Sequence, residues 1–205
     1  MKSAMRQVVS SALLAAAAVV GMTFATSAAA GTIVGSPHDF KAKGYGSTEI
    51  CIFCHTPHNA KASAGVLWNH GATTATYTLY SSSTLNAVMA QPGVTSKLCL
   101  SCHDGTVAVD TYGTRTGTTF IGGGELLGTD LSNDHPIGFT YDAALATADG
   151  GLVTPASASL VVASVPLYAA KVECASCHNV HDNALGGFLR TTNAASALCL
   201  KCHVK

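Results

Sequence analysis

ECASCHNVHDNALGGFLRTTNAASALCLKCH, residues 173–203, is the stretch on which the organisation of this chain depends. It contains two CxxCH units, at 174–178 and 199–203. Two more units lie upstream, CIFCH at 51–55 and CLSCH at 99–103. Together the four units use all eight cysteines of the 205-residue chain, so one local arrangement of two thiols and an imidazole is repeated four times.

A cysteine pair three positions apart, followed directly by histidine, is the attachment pattern of a c-type haem. The thiols bond to the vinyl groups of one porphyrin and the imidazole ligates its iron. Zinc sites, thioredoxin-like redox sites and disulfide frameworks also use paired cysteines, but none needs a histidine after every second one. We therefore predict four haems c. The predicted thioether residues are Cys51, Cys54, Cys99, Cys102, Cys174, Cys177, Cys199 and Cys202, and the predicted proximal ligands are His55, His103, His178 and His203.

The remaining histidines are candidates for the opposite, distal position on each iron. Met89 is the only methionine after residue 30, so methionine can serve at most one iron. Bis-histidine ligation of all four irons is the economical assignment, and without a thioether ligand it favours low reduction potentials. One candidate is then surplus, and the sequence does not identify it. The candidates are His38, His58, His70, His135 and His181.

Two of the distal candidates lie three residues after a proximal histidine, in CHTPH and CHNVH. A side chain so near along the chain starts on the proximal side of its own haem and does not easily reach the opposite face. We therefore expect His58 and His181 to ligate other haems. Such cross-links would bring the porphyrins close together, as electron transfer between them requires.

Residues 1–30 have the pattern of a secretory signal peptide. Lys2 and Arg6 precede an apolar segment at 8–24, and Ala28, Ala29 and Ala30 resemble a cleavage site. The predicted mature domain is therefore 31–205, exported to the periplasm or the cell surface, with no membrane span after the signal is removed.

The predicted mature chain carries nine Lys and Arg against eleven Asp and Glu, because two of the eleven basic residues lie in the signal. This balance does not indicate a nucleic-acid surface. The chain is rich in small residues and poor in large apolar ones, so we expect stacked haems to supply most of the core.

The predicted fold is a multihaem cytochrome c: mostly coil, with short helices at the CxxCH motifs and a few short strands. Haem clusters are expected at about 31–110 and 165–205, joined by a loop-rich connection at 111–164. Alternating patterns predict strands at 77–80 and 165–172, the second in a small hairpin. A brief helix is predicted at 142–148.

The unit CASCHNVH, GGFLR and ALCLKCH resembles the doubled-CxxCH repeat of multihaem c-type cytochromes. The wider set GSPHDF, CIFCHTPHNA, LWNH, SKLCLSCHDG and GTDLSNDHPIGF is similar to exported tetrahaem cytochromes of metal-reducing bacteria. That resemblance extends to the extracellular cytochrome filaments, or nanowires, and implies stacked haems and a distal histidine lent between subunits. It implies His58 as the lent ligand and the neighbour's haem at His203 as its receiver.

The predicted function is electron transfer without transformation of a substrate. The implied partners are redox proteins, further copies of this chain in a homopolymer, and an extracellular acceptor such as metal oxide. A soluble periplasmic shuttle is the alternative. A multihaem reductase enzyme is a third reading, but such a site needs an open iron position, often signalled by CxxCK, and here every motif ends in histidine.

Overall fold

The computed structural model describes residues 32–61, 65–155, 161–162 and 165–204. The predicted signal peptide, 1–30, lies outside the described residues. Everything described belongs to the unit Gly31–Lys205. Within these ranges the chain is mostly coil and turns, with short helices and one pair of short strands.

The helices of the described ranges are short. Two α-helices and one 3-10 helix contain cysteines of the CxxCH units. Helix α1 is Val94–His103, α2 is Ala143–Asp149 and α3 is Cys174–Cys177. The second motif lies in α1, the third in α3 with His178 as its C-cap, and the fourth begins in the 3-10 helix Cys199–Lys201. The first motif is a series of turns. The other 3-10 helices are Phe40–Ala42, Gly123–Glu125 and Ala194–Ser196.

Helix α2 confirms the helix predicted at 142–148, displaced by one residue. Asp142 is its N-cap, and its carboxylate accepts a hydrogen bond from the Leu145 amide at 2.8 Å. Gly150 ends the helix with a left-handed φ of 70°, a conformation that glycine adopts without a steric cost.

The two strand predictions agree less closely with the structure. Strand β1, Val161–Val162, pairs antiparallel with β2, Val165–Pro166, so the predicted hairpin is present but the strand is much shorter than 165–172. Proline has no amide hydrogen to continue the ladder. The strand predicted at 77–80 is wrong: this segment pairs with its neighbour only at Thr78, in one isolated bridge to Asp130.

Apolar packing is divided into small clusters. One contains Phe139, Tyr141, Leu167 and Val172, and a second contains Tyr77, Leu100 and Leu131. Around Phe53 the packing is aromatic, with the Tyr112 ring edge-on at 4.9 Å between centroids. Small separate clusters are what a chain poor in large apolar residues can form.

The described parts of the connection, 111–155 and 161–162, are mostly coil and turns and contain Gly123–Glu125, α2 and β1. Isolated backbone bridges anchor three motif histidines to distant segments: His55 to Trp68, His178 to Leu189 and His203 to Leu152. In the part of the chain that the structure describes, no helix has the length and apolar character needed to cross a membrane.

Candidate haem-binding sites

All eight motif cysteines are described, and all are free thiols. Within the described ranges, no three or more His, Cys, Asp or Glu side chains are grouped so that they could hold a metal ion. Burial raises the pKa of the Cys54 thiol to about 11 and that of the Cys102 thiol to about 12.

Thiols of successive motifs lie close enough to shift one another's pKa. A hydrogen bond with Cys174 is the main cause that raises the pKa of Cys99. Burial first, and then a thiol of the preceding motif, raises the pKa of Cys102 and of Cys202. The pairs that affect each other's pKa in this way are Cys54 with Cys102, Cys99 with Cys174, and Cys177 with Cys202. The four motifs are therefore neighbours in space in the order in which they occur in the sequence.

Three of the predicted proximal histidines are oriented by backbone carbonyls. The Nδ1–H of His55 donates to Val66 O at 2.7 Å, that of His103 to Glu125 O at 2.8 Å, and that of His178 to Gly187 O at 2.7 Å. A carbonyl can only accept, so the proton is on Nδ1 and Nε2 keeps its lone pair. A histidine that ligates a metal is commonly fixed by a hydrogen bond of this kind.

Three proximal histidines also face a distal candidate. The centroid distances are 6.1 Å for His38 and His103, 6.1 Å for His55 and His181, and 6.5 Å for His135 and His203. Two imidazoles on opposite sides of one metal stand about 6 Å apart between ring centres, for metal–nitrogen bonds of about 2 Å. The residues present thus fit bis-histidine ligation at the first, second and fourth motifs, and ligation itself stays a prediction.

Burial keeps the His38 imidazole neutral. Loss of solvent, and then the nearby His103, lower the pKa of His38 to about 4. A neutral ring keeps a lone pair for a metal at physiological pH.

The third motif is different. Among the described residues, His178 has no facing imidazole, and two candidates are left, His58 and His70. His70 is buried, and both of its ring nitrogens lie against carbonyls: Nδ1 is 2.7 Å from Gly71 O and Nε2 is 3.1 Å from Ala108 O. His58 is exposed. If the three facing pairs are ligand pairs, the surplus histidine of the sequence prediction is His58 or His70.

A cavity of about 250 Å³ lies beside the third motif. Cys174, Cys177 and His178 form one part of its wall, and His135 lies on another part. Much of the remaining lining is apolar, which suits a porphyrin. This apolar lining includes Leu79, Met89, Leu100, Leu127, Leu131 and Ile137.

Sequence reasoning missed the groups that hold the motifs in place. The carbonyls that orient the histidines belong to Val66, Glu125 and Gly187. They are backbone groups, so the residue type does not indicate them. The buried Glu173 does have a sequence signal. It is an acidic residue directly before CxxC, whereas the other motifs have an apolar residue there: Ile50, Leu98 and Leu198.

A family model described as "Doubled CXXCH motif" matches residues 168–205. This match supports a multihaem c-type cytochrome that binds haem covalently and transfers electrons. Comparison with curated proteins gives no match.

Proposed function

We propose that this chain is an exported electron carrier with four low-potential haems c, each ligated by two histidines. The bound haems would supply reversible one-electron chemistry. The observation that carries the proposal is the set of three imidazole pairs at 6.1–6.5 Å, each with one histidine from a CxxCH motif. In this proposal each motif histidine would hold one cofactor from the proximal side.

Cross-links between motifs support a close arrangement of the cofactors. His181 follows the third motif by three residues, yet its ring lies 6.1 Å from that of His55 in the first motif, with 20° between the two ring planes. Electrostatic effects between thiols also link each motif to the next one. Such an arrangement suits passage of electrons from periplasmic redox proteins toward an outside acceptor such as metal oxide.

We further propose that the chain polymerises, with His58 as the ligand that one subunit lends to the next. His58 is exposed, and its carbonyl accepts a hydrogen bond from the Thr56 hydroxyl at 2.7 Å, which fixes the local turn. His178 is the better receiver than His203, because His135 already faces His203. If His70 serves His178 within one chain instead, the protein is a soluble periplasmic shuttle.

Spin state distinguishes these two arrangements. We expect isolated monomers to contain one high-spin iron per chain, and assembled protein to be fully low-spin. His58→Ala should keep the high-spin signal and prevent assembly. His70→Ala should leave both the spin state and the assembly as in the wild-type protein. Low-spin monomers that acquire a high-spin iron through His70→Ala would overturn the filament and establish the shuttle.

The absence of an imidazole facing His178, among the described residues, also favours a second candidate, a multihaem reductase. In that case a high-spin iron would persist in the assembled protein. Addition of nitrite or sulfite would shift its absorption spectrum. An electron carrier with full ligation would show no such shift.

A further inference from the structure

Glu173 is a buried carboxylate directly before the third CxxCH motif, with 2% of its surface exposed. The ion pairs found among the described residues join Lys41 to Asp39 and Arg115 to Asp110, and neither involves Glu173. A buried carboxylate without a cation must be stabilised by hydrogen bonds. The donors to Glu173 therefore indicate its role.

These donors come from the start of α1. The Gly93 amide lies 3.1 Å from Oε1 and 3.2 Å from Oε2, and the Ser96 hydroxyl donates to Oε2. Gly93 is the N-cap of α1 and has no side chain with which to cap it. Glu173 is itself the N-cap of α3, and its backbone carbonyl accepts from the Ser176 amide at 2.8 Å. Glu173 thus joins the starts of two helices that carry CxxCH cysteines: its carboxylate caps α1, and its backbone begins α3.

Further contacts close this junction. The Ser96 hydroxyl accepts from the Cys174 amide at 2.9 Å, and the Ser176 hydroxyl accepts from the Glu173 amide at 3.0 Å. A Cβ at position 93 would lie 2.5 Å from Oε1 of Glu173, so the close approach requires glycine. The junction holds the N-termini of α1 and α3 together, upstream of the contact between Cys99 and Cys174.

The geometry points to Glu173 as a positioning residue with two effects on electron transfer. It fixes α1 against α3, so the second and third haem sites keep one spacing. It also places a carboxylate, held by the Gly93 amide and the Ser96 hydroxyl, beside the third site. A negative charge there lowers the reduction potential, because oxidised iron carries one more positive charge than reduced iron. This inference rests on the proposed function, since it requires haem c at both motifs.

The test is Glu173→Gln in the haem-loaded protein, which keeps the side-chain shape and removes the charge. We expect four haems per chain and one midpoint potential raised in spectroelectrochemical titration. The expected size is an about tenfold increase in the reduced-to-oxidised ratio of that haem, or about 59 mV for a one-electron couple.

Two further variants separate charge from structure. Glu49→Gln makes the same chemical change at an exposed glutamate two residues before the first motif, and should leave all potentials unchanged. Ser96→Ala keeps the charge but removes one donor. It should lower the thermal midpoint, with a potential shift smaller than that of Glu173→Gln.

Glu173→Gln with four haems and wild-type potentials would overturn the inference and leave the proposed function intact. Fewer than four haems in the wild-type protein would instead defeat the proposed function. If Glu173→Gln does not accumulate, Ser96→Ala and Gly93→Ala serve as the test. Each should have a lower melting temperature than the control Glu49→Gln. Wild-type melting temperatures for both variants would reject the role of Glu173.

Discussion

At the scale of single residues, His181 and His55 bring the third motif to the first, with 6.1 Å between their ring centroids. The CxxCH spacing names the eight thiols and four proximal histidines without any coordinates. It does not reveal that His181 lies against His55, because that pairing depends on how residues 174–190 fold back onto the first motif. The spacing also does not reveal that both ring nitrogens of His70 lie against carbonyls, since every residue has a backbone carbonyl whatever its side chain.

The pairing of His181 with His55 makes a direct prediction. His181→Ala should give one additional high-spin iron per chain in electron paramagnetic resonance spectra, because the iron at His55 would lose its distal ligand. His58→Ala in monomers is the matched control, as it removes the equivalent histidine of the first motif. No increase in high-spin iron in the His181 variant would remove His181 from the ligand set.

At the scale of elements, predictions succeed where a local signal suffices. Asp142 and Gly150 bracket α2, and both signals are legible in the sequence. The segment 77–80 alternates as a strand does, yet its only backbone bridge among the described residues joins Thr78 to Asp130. The start of helix α1 at Gly93 is hydrogen-bonded to Glu173, which is distant in sequence, so this contact cannot be predicted from a local signal.

Asp110 organises a loop in a similar way and provides a pH test. Its carboxylate accepts from the Thr118 and Thr119 amides at 3.0 and 2.8 Å and pairs with Arg115 at 3.2 Å. Burial alone would raise the pKa of Asp110, but these hydrogen bonds outweigh it and hold the pKa below its usual value of 3.8.

A lowered folded-state pKa means that the stabilisation is present above the unfolded value and is lost as pH falls through the folded one. Asp110→Asn should therefore cost about 1–3 kcal/mol of unfolding free energy at pH 7, measured by urea denaturation. The difference from wild type should shrink below about pH 4. Glu49→Gln is the exposed control, and a cost for Asp110→Asn that stays constant down to pH 3 would contradict this account.

At the scale of the whole molecule, the chain contributes little core of its own. Its apolar clusters are small, and several large apolar side chains remain exposed near the motifs, among them Leu126, Leu127, Leu185 and Leu200. Composition predicts this shortage, but the order of the motifs in space follows from the effects of the thiols on one another's pKa. The small clusters are consistent with the prediction that haems supply the rest of the core.

The most direct test of the central claim is the intact mass of the protein, purified from cells that express it with a haem-maturation system. We predict the mass of the processed polypeptide plus four haems, retained after denaturation because the bonds are covalent. The mass of the bare polypeptide, or of a polypeptide that loses its iron and colour on unfolding, would contradict the account.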